Sequence, residues 1–359
     1  MTRRIFLTLL LAVGILLVGC NTKNLSAQTK ECVAFLREAS SLHAKIQIKL
    51  ADVSSHEETI NFLGFPQDAK ITNYFWIEKQ KKWLIEVLSQ DNSDIYLFNW
   101  DGTGMYNLTN SSNLFETDFQ VSPDQRLIAY SVSDGSLNTY IEIFDLDHNK
   151  KNQLGQEHYL ERAPLWLDNH NLIIESSKLG SPNIFKVDIN TKEWTNISNG
   201  PGIDTGASLS NQTQIMSFLS DRLGGWQVFI YDFQEQKITE PVGVNKQVSS
   251  VSISPNGKFL IMNIIENTNR NSVVLYNIEN QIQTTIVRLE NPILNFQWSL
   301  DSKKILFNIL QKQNYDIFMF DIVTNELTNL TNSATNEFGA RWIYINDDNK
   351  LLRFLETRQ

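Results

Sequence analysis

Trp298-Ser299-Leu300-Asp301-Ser302-Lys303-Lys304-Ile305-Leu306-Phe307 is followed by Asp316-Ile317-Phe318-Met319-Phe320-Asp321 and then by Leu330-Thr331. This unit recurs. Its tryptophan position falls at Trp76, Val121, Trp166, Leu209, Ile253, Trp298 and Trp342, in steps of 43 to 45 residues. The second copy carries Val121-Ser122-Pro123-Asp124 before Leu127-Ile128-Ala129-Tyr130, and the fifth carries Ile253-Ser254-Pro255-Asn256 before Phe259-Leu260-Ile261-Met262. Ser-Pro-Asp/Asn is a turn with a mechanism: Pro presets one backbone angle, and Asp or Asn bonds its own main chain. Apolar runs on both sides make it a hairpin. A third strand follows in six copies, at 95–99, 141–145, 184–188, 228–232, 273–277 and 317–321, each ending in Asp or Asn. A short fourth strand closes the clearer units, as at Leu108-Thr109 and Leu330-Thr331.

Four short strands per unit, aromatic markers and no helical period together predict an all-β chain, a β-propeller of four-stranded blades. A single blade cannot bury its own faces, so neighbours must stack. The seventh copy has strands at Arg341–Tyr344 and Leu351–Leu355, after which the sequence stops. Strands at Ala44–Asp52 and Thr59–Leu63 are expected to complete it, closing the ring from both chain ends. Seven blades are favoured over six; six would follow if the N-terminal strands pack elsewhere. Between residues 31 and 42, Cys32, Phe35, Leu36, Ala39 and Leu42 share one helical face, which predicts a short helix. Residues 31–73 therefore read as a helix plus strands for closure, and 74–359 as the propeller.

The N-terminus is a different kind of signal. Arg3 and Arg4 precede an apolar run from Ile5 to Val18, which ends at Leu17-Val18-Gly19-Cys20. The run is short for a membrane span and suits a secretory leader. Its end resembles the lipobox of bacterial lipoproteins. That resemblance implies a signal peptide over 1–19, acylation of Cys20 and a polar tether to residue 30. An ordinary cleaved leader and an uncleaved anchor are the other readings. Asn21 is not the Asp that commonly retains lipoproteins at an inner membrane. The expected location is therefore the periplasmic face of an outer membrane, or the outer face of the plasma membrane in a cell with one membrane. Cys32, the only other cysteine, reads as a buried thiol.

The formal net charge is −9. It argues against nucleic acid and against electrostatic docking on anionic lipid, both of which need clustered Lys and Arg. With no cysteine in the repeats, neither a disulfide framework nor a zinc cluster is possible there.

Ser220-Asp221-Arg222-Leu223-Gly224-Gly225-Trp226 followed by Val228-Phe229-Ile230-Tyr231-Asp232, together with the repeated Ser-Pro-Asp and Leu-Thr elements, resembles the TolB-type, or WD40-like PD40, propeller repeat. The resemblance runs from about Tyr74 to the end of the sequence. It implies a periplasmic or cell-surface binding propeller. TolB proteins carry a sizeable α/β domain before the propeller, whereas only residues 21–73 stand between Cys20 and Tyr74 here. The resemblance thus carries the fold and not the Tol partnership.

No catalytic constellation is legible. The five histidines, His43, His56, His148, His158 and His170, have no metal-ligand spacing. Gly206-Ala207-Ser208-Leu209-Ser210 lacks the second glycine of a nucleophile elbow. One Asp or Asn per third strand is explained by turns, not by a metal. No cofactor and no metal are expected.

Binding then falls to the loops between strands two and three and between units. The candidates there are Phe115, Glu116, Asp118, Tyr159, Glu161 and Arg162. Asp204, Arg222, Trp226, Glu290, Glu337 and Phe338 complete the set. Exposed aromatics among polar residues suit protein or glycan surfaces; the plainer reading is solvated loop charge and packing between blades. The expected function is a monomeric, lipid-anchored, non-catalytic scaffold for an envelope protein or cell-wall glycan. The alternative is a propeller hydrolase or lyase acting on extracellular glycans or peptides.

Overall fold

The computed structural model describes residues 64–346 with short breaks at 66–68, 91, 137–138, 156–157, 211, 240–241, 243–246, 269, 292, 294 and 312. Before them it describes backbone strands at Ile5–Leu11, Gly14–Gly19, Thr29–Arg37, Ile46–Asp52 and Glu57–Phe62, with side chains only for residues 31–36 and 62. Cys20 and the strand expected at Leu351–Leu355 lie outside the described residues. All regular structure among the described residues is β. Among the described residues, no helix is long and apolar enough to cross a membrane.

By its contacts the chain divides into two compact units, 1–117 with 304–359, and 118–303. The second unit contains three complete four-stranded antiparallel sheets, spanning 161–196, 204–238 and 247–289, each with its strands in chain order. Every third strand ends on the residue read from the sequence: Asp145, Asp188, Asp232, Asn277 and, in the first unit, Asn99 and Asp321.

The second strand at 171–176 is buried on both faces. Leu172 and Ile174 pack with Leu127, Ala129, Ile141 and Ile143 of the preceding repeat. Ile173, between them, packs the other way onto Met216, Phe218 and Phe229 of the next. This explains why second strands read as unbroken apolar runs and not as alternation. Each fully buried large side chain contributes about 1.5–3 kcal/mol.

The repeated polar motifs are spent on local geometry. Leu127 N–H donates to Ser122 Oγ (2.9 Å), whose hydroxyl donates to Asp124 Oδ1 (2.6 Å). Phe259, Ser254 and Asn256 repeat this at 3.0 and 2.8 Å. The third-strand aspartates accept from the backbone two and three residues on, as Asp188 does from Asn190 and Thr191 (2.8 and 2.9 Å). These bonds favour the charged form and hold the Asp188 carboxyl below the usual range.

The N-terminal region departs from expectation. Thr29–Arg37, which spans most of the expected helix, is a strand. It pairs antiparallel with Glu337–Asn346, placing Cys32 opposite Ile343 and Val33 opposite Trp342. Residues 31–36 are all buried, so burial on both faces filled the sequence with apolar residues and imitated a helical face. Ile46–Asp52 and Glu57–Phe62, expected to pair with the last repeat, pair with each other, Ile48 opposite Ile60. Cys32 is fully buried but is not the expected free thiol; it is disulfide-bonded, and its partner lies outside the described residues. Within the first unit, Tyr74 Oη donates to Ala34 O (2.8 Å) and to Gly339 O, and Arg341 Nη2 donates to Asn73 Oδ1 (2.7 Å). The first and last repeats therefore lie side by side.

Candidate binding strip on the first strands

In the three complete four-stranded sheets the first strand is an edge strand, whereas Phe115–Val121 also pairs at its start, Phe115 opposite Ser93. In the second unit these strands lie beside one another: Trp166 Nε1 donates to Gln120 O (3.1 Å), and Ile253 N–H donates to Ser208 Oγ (3.1 Å). Three of these strands turn left-handed three residues before the tryptophan position, and the pairing shifts register there in two of them, between Arg162 and Leu165 and between Thr205 and Ser208. Asp118 (φ 56°), Ala163 (φ 51°) and Gly206 (φ 64°) occupy that position. Such a shift is a bulge, which bends the strand and re-aims the side chains around it. Asp118 and Ala163 hold this conformation without being glycine, which costs about 1–2 kcal/mol apiece.

A charged row follows these positions. Glu175, at the end of a second strand, is 5% exposed. Its Oε1 accepts from Thr205 Oγ1 (2.8 Å) and Gly206 N–H (2.7 Å), and its Oε2 accepts from Arg162 Nε (3.1 Å). Three donors therefore satisfy a buried carboxylate, and in return it fixes one edge of the Arg162 guanidinium. The Arg162 side chain stays 45% exposed. Asp118 keeps contact with solvent, yet enough protein surrounds it that desolvation raises its carboxyl pKa; Arg162 lowers it and Glu175 raises it further.

The structure separates the other sequence candidates by role. Glu116, Glu161, Asp204 and Glu337 stand at one place in their repeats, five residues before the tryptophan position, and all four are buried. Arg222 Nη2 donates to Asp204 Oδ1 (2.9 Å) and to Ser198 O (2.8 Å), and its guanidinium lies over Phe229 and Phe218. Gly200 sits against that guanidinium, where a Cβ would come within 2.5 Å of Cζ. The Ser-Asp-Arg-x-Gly motif thus places a buried staple between two repeats, not an exposed cation. Glu161 bonds Thr139 through its own N–H (2.9 Å) and carbonyl (2.6 Å). Trp226 and Phe338 pack on apolar cores. Phe115 and Tyr159 are half-buried, and Glu290 is exposed.

Of the twelve candidates, Asp118 and Arg162 combine exposure to solvent with an electrostatic interaction between them. The sequence reading missed Glu175 and Thr205. The available signal was a carboxylate closing the apolar run Leu172-Ile173-Ile174, where a charge must find partners.

The family model of the TolB β-propeller domain (PD40) matches residues 83–287, more than half of the chain. The chain belongs to the TolB β-propeller family. Solved propellers share the fold of this TolB-family chain at low identity. TolB from Acinetobacter baumannii aligns at 15% identity with a TM-score of 0.54, over 86% of this chain and 82% of that one. An oligogalacturonate lyase in complex with manganese gives 12% and 0.59, over 84% and 85%. A puromycin-hydrolyzing peptidase of Mycobacterium tuberculosis gives 12% and 0.61, over 82% of this chain but 55% of its own length. The fold is thus shared with a TolB, a lyase and a peptidase alike. No curated protein matches by sequence.

Proposed function

We propose that this TolB-family chain is a lipid-anchored envelope protein that binds, without catalysis, a protein or cell-wall partner across its first-strand strip. The observation that carries the reading is the Asp118–Arg162–Glu175 row. It presents charge to solvent from a fixed frame, while the repeated motif residues are engaged in turns and buried pairs. The strip's hydroxyls suit binding as well: Ser208 Oγ lies 3.4 Å from Ser252 Oγ and accepts from the Ile253 backbone N–H. Crosslinking in cells from cysteines placed along the strip tests the reading. A specific partner captured there and lost in Arg162→Ala supports it. Turnover of glycans or peptides by the purified chain, with a stoichiometric metal, would replace it by the lyase or hydrolase reading.

The same proposal covers anchoring and closure; in the anchored form Cys20 carries the acyl chains and Cys32 is a buried thiol in place of the disulfide. Cleavage before Cys20 would remove the strands Ile5–Leu11 and Gly14–Gly19, and with them the parallel pairing of Ile5–Leu11 to Thr29–Arg37, while Thr29–Arg37 would keep its pairing to Glu337–Asn346. Seven blades, the last completed by Thr29–Arg37 against Glu337–Asn346, form the proposed monomeric ring. The adjoining first and last repeats favour it.

A further inference from the structure

Asp118 and Arg162 stand on neighbouring first strands, and neither is used up by the fold. Arg162 is bonded only through Nε, to a Glu175 carboxylate that is itself buried and fully engaged. Its two Nη nitrogens have no hydrogen-bonding partner among the described residues, and the side chain is 45% exposed. Asp118 has no hydrogen-bonding partner among the described residues, and the two are not ion-paired with each other. The two charges act on each other without forming an ion pair. Arg162 is turned to Glu175, and Asp118 stands on left-handed backbone (φ 56°).

Opposite charges not paired with each other complement a ligand that carries both signs. The Nη edge of a guanidinium has the geometry of a carboxylate acceptor. A carboxylate raised by desolvation gains from a cation that restores its lost solvation. Because Glu175 anchors Arg162 from the next strand, little ordering remains to be done on binding.

Resting on the binding reading above, we propose that the Asp118–Arg162 pair is a site for a zwitterionic α-amino-acid centre. Arg162 Nη1 and Nη2 take its carboxylate, and Asp118 takes its ammonium group. Glu175 is a positioning residue that touches no ligand. Two sources share this chemistry: a free amino acid, and the unlinked end of a diamino-acid side chain in a cell-wall peptide.

Calorimetric titration of the full chain in detergent tests the proposal. The probes are L-alanine, N-acetyl-alanine (no ammonium), alaninamide (no carboxylate) and an N-acetylated peptide ending in diaminopimelate. Alanine should bind at least about tenfold tighter than either blocked form, the scale of one lost charged hydrogen bond. Arg162→Gln should abolish the preference for alanine over its amide while keeping the preference over its acetyl form, and Asp118→Asn should do the reverse. A merely destabilised protein would lose both together. Tighter binding of the peptide than of alanine assigns the cell-wall source; alanine alone assigns the free amino acid. The proposal is overturned if wild type ignores every probe, if blocked forms bind as well as alanine, or if both variants keep both preferences. Silence from all probes with strip crosslinks intact would refute the ligand class and leave the binding reading standing.

Discussion

Arg222 and Arg162 show how neighbouring repeats put the same side chain to opposite uses. Arg222 is 12% exposed against an Asp204 that is fully buried. Removing it strands a carboxylate in the interior, so Arg222→Leu should cost about 3–5 kcal/mol in chemical denaturation. Arg162→Gln should cost no more than about 1 kcal/mol, because Glu175 keeps two other donors and the arginine is half in water. Equal costs would contradict the division into staple and site.

Glycine carries a second contrast. Gly155 (φ 101°) would place a Cβ 1.8 Å from Glu161 Oε2, whereas Gly180 (φ 101°) has nothing within 4 Å. Gly180→Ala should cost about 1 kcal/mol of backbone strain alone. Gly155→Ala should cost roughly 1–3 kcal/mol more, since a buried carboxylate must move. Matched unfolding midpoints for the two variants would show that Glu161 yields freely.

Asp118 titrates in the opposite sense from Asp188. Its folded pKa is raised, so the native state holds the proton more tightly than the unfolded chain. Its contribution to stability is full below the unfolded carboxyl pKa, falls as pH rises through the folded value, and is flat above. Asp118→Asn should therefore raise the unfolding midpoint at pH 7, by a margin that closes below about pH 3. A margin independent of pH would show that the carboxylate is not strained by desolvation.

At the scale of elements, strands three and four are clasped by motif side chains. Asp316 Oδ1 accepts from Ser333 N–H (3.0 Å) and Thr331 Oγ1 (3.3 Å), and its Oδ2 accepts from Asn329 Nδ2 (2.9 Å). Asp94 holds Thr109 and Ser111 in the same way (2.9 and 3.0 Å). The threonine in turn accepts from the third strand, as Thr331 does from Ile317 N–H (3.0 Å). Asp316→Ala frees three donors at once and should cost about 1–3 kcal/mol, measured as a shift in denaturant midpoint; a shift under about 0.5 kcal/mol would show that water replaces the clasp.

These elements were legible because their chemistry is local. An Asp that accepts from residues two and three ahead needs no distant partner, so all six third-strand ends were readable. Thr29–Arg37 was misread because its pairing partner lies some 300 residues away, at Glu337–Asn346. A strand buried on both faces has no alternation to read. The strip divided in the same way. Asp118 and Arg162 stood out as charges near predicted turns, but Glu175, which aims Arg162, comes from a different strand and carries no motif.

For the whole molecule, the chain has two cysteines, so acylation of Cys20 and a disulfide at Cys32 exclude each other. If the leader is processed as proposed, Cys32 in membrane-extracted protein should react with an alkylating reagent once denatured, without prior reduction. Cys20→Ala should leave the protein uncleaved or released from membrane. A blocked Cys32 that needs reductant, with membrane attachment unchanged in Cys20→Ala, would refute acylation.

By itself the sequence determined the repeat, its turns and the strand count per unit, because these rest on backbone angles and side-chain bonds a few residues long. It also determined the stacking of sheets, since a blade with two apolar faces has no other way to bury them. Only the tertiary structure decided which N-terminal strand meets the last repeat, and which charges are staples and which are open. Those outcomes depend on groups from different repeats meeting across strand edges. Burial that turns Arg222 inward and leaves Arg162 in water is a property of the assembled neighbours, and neither arginine's local sequence carries it.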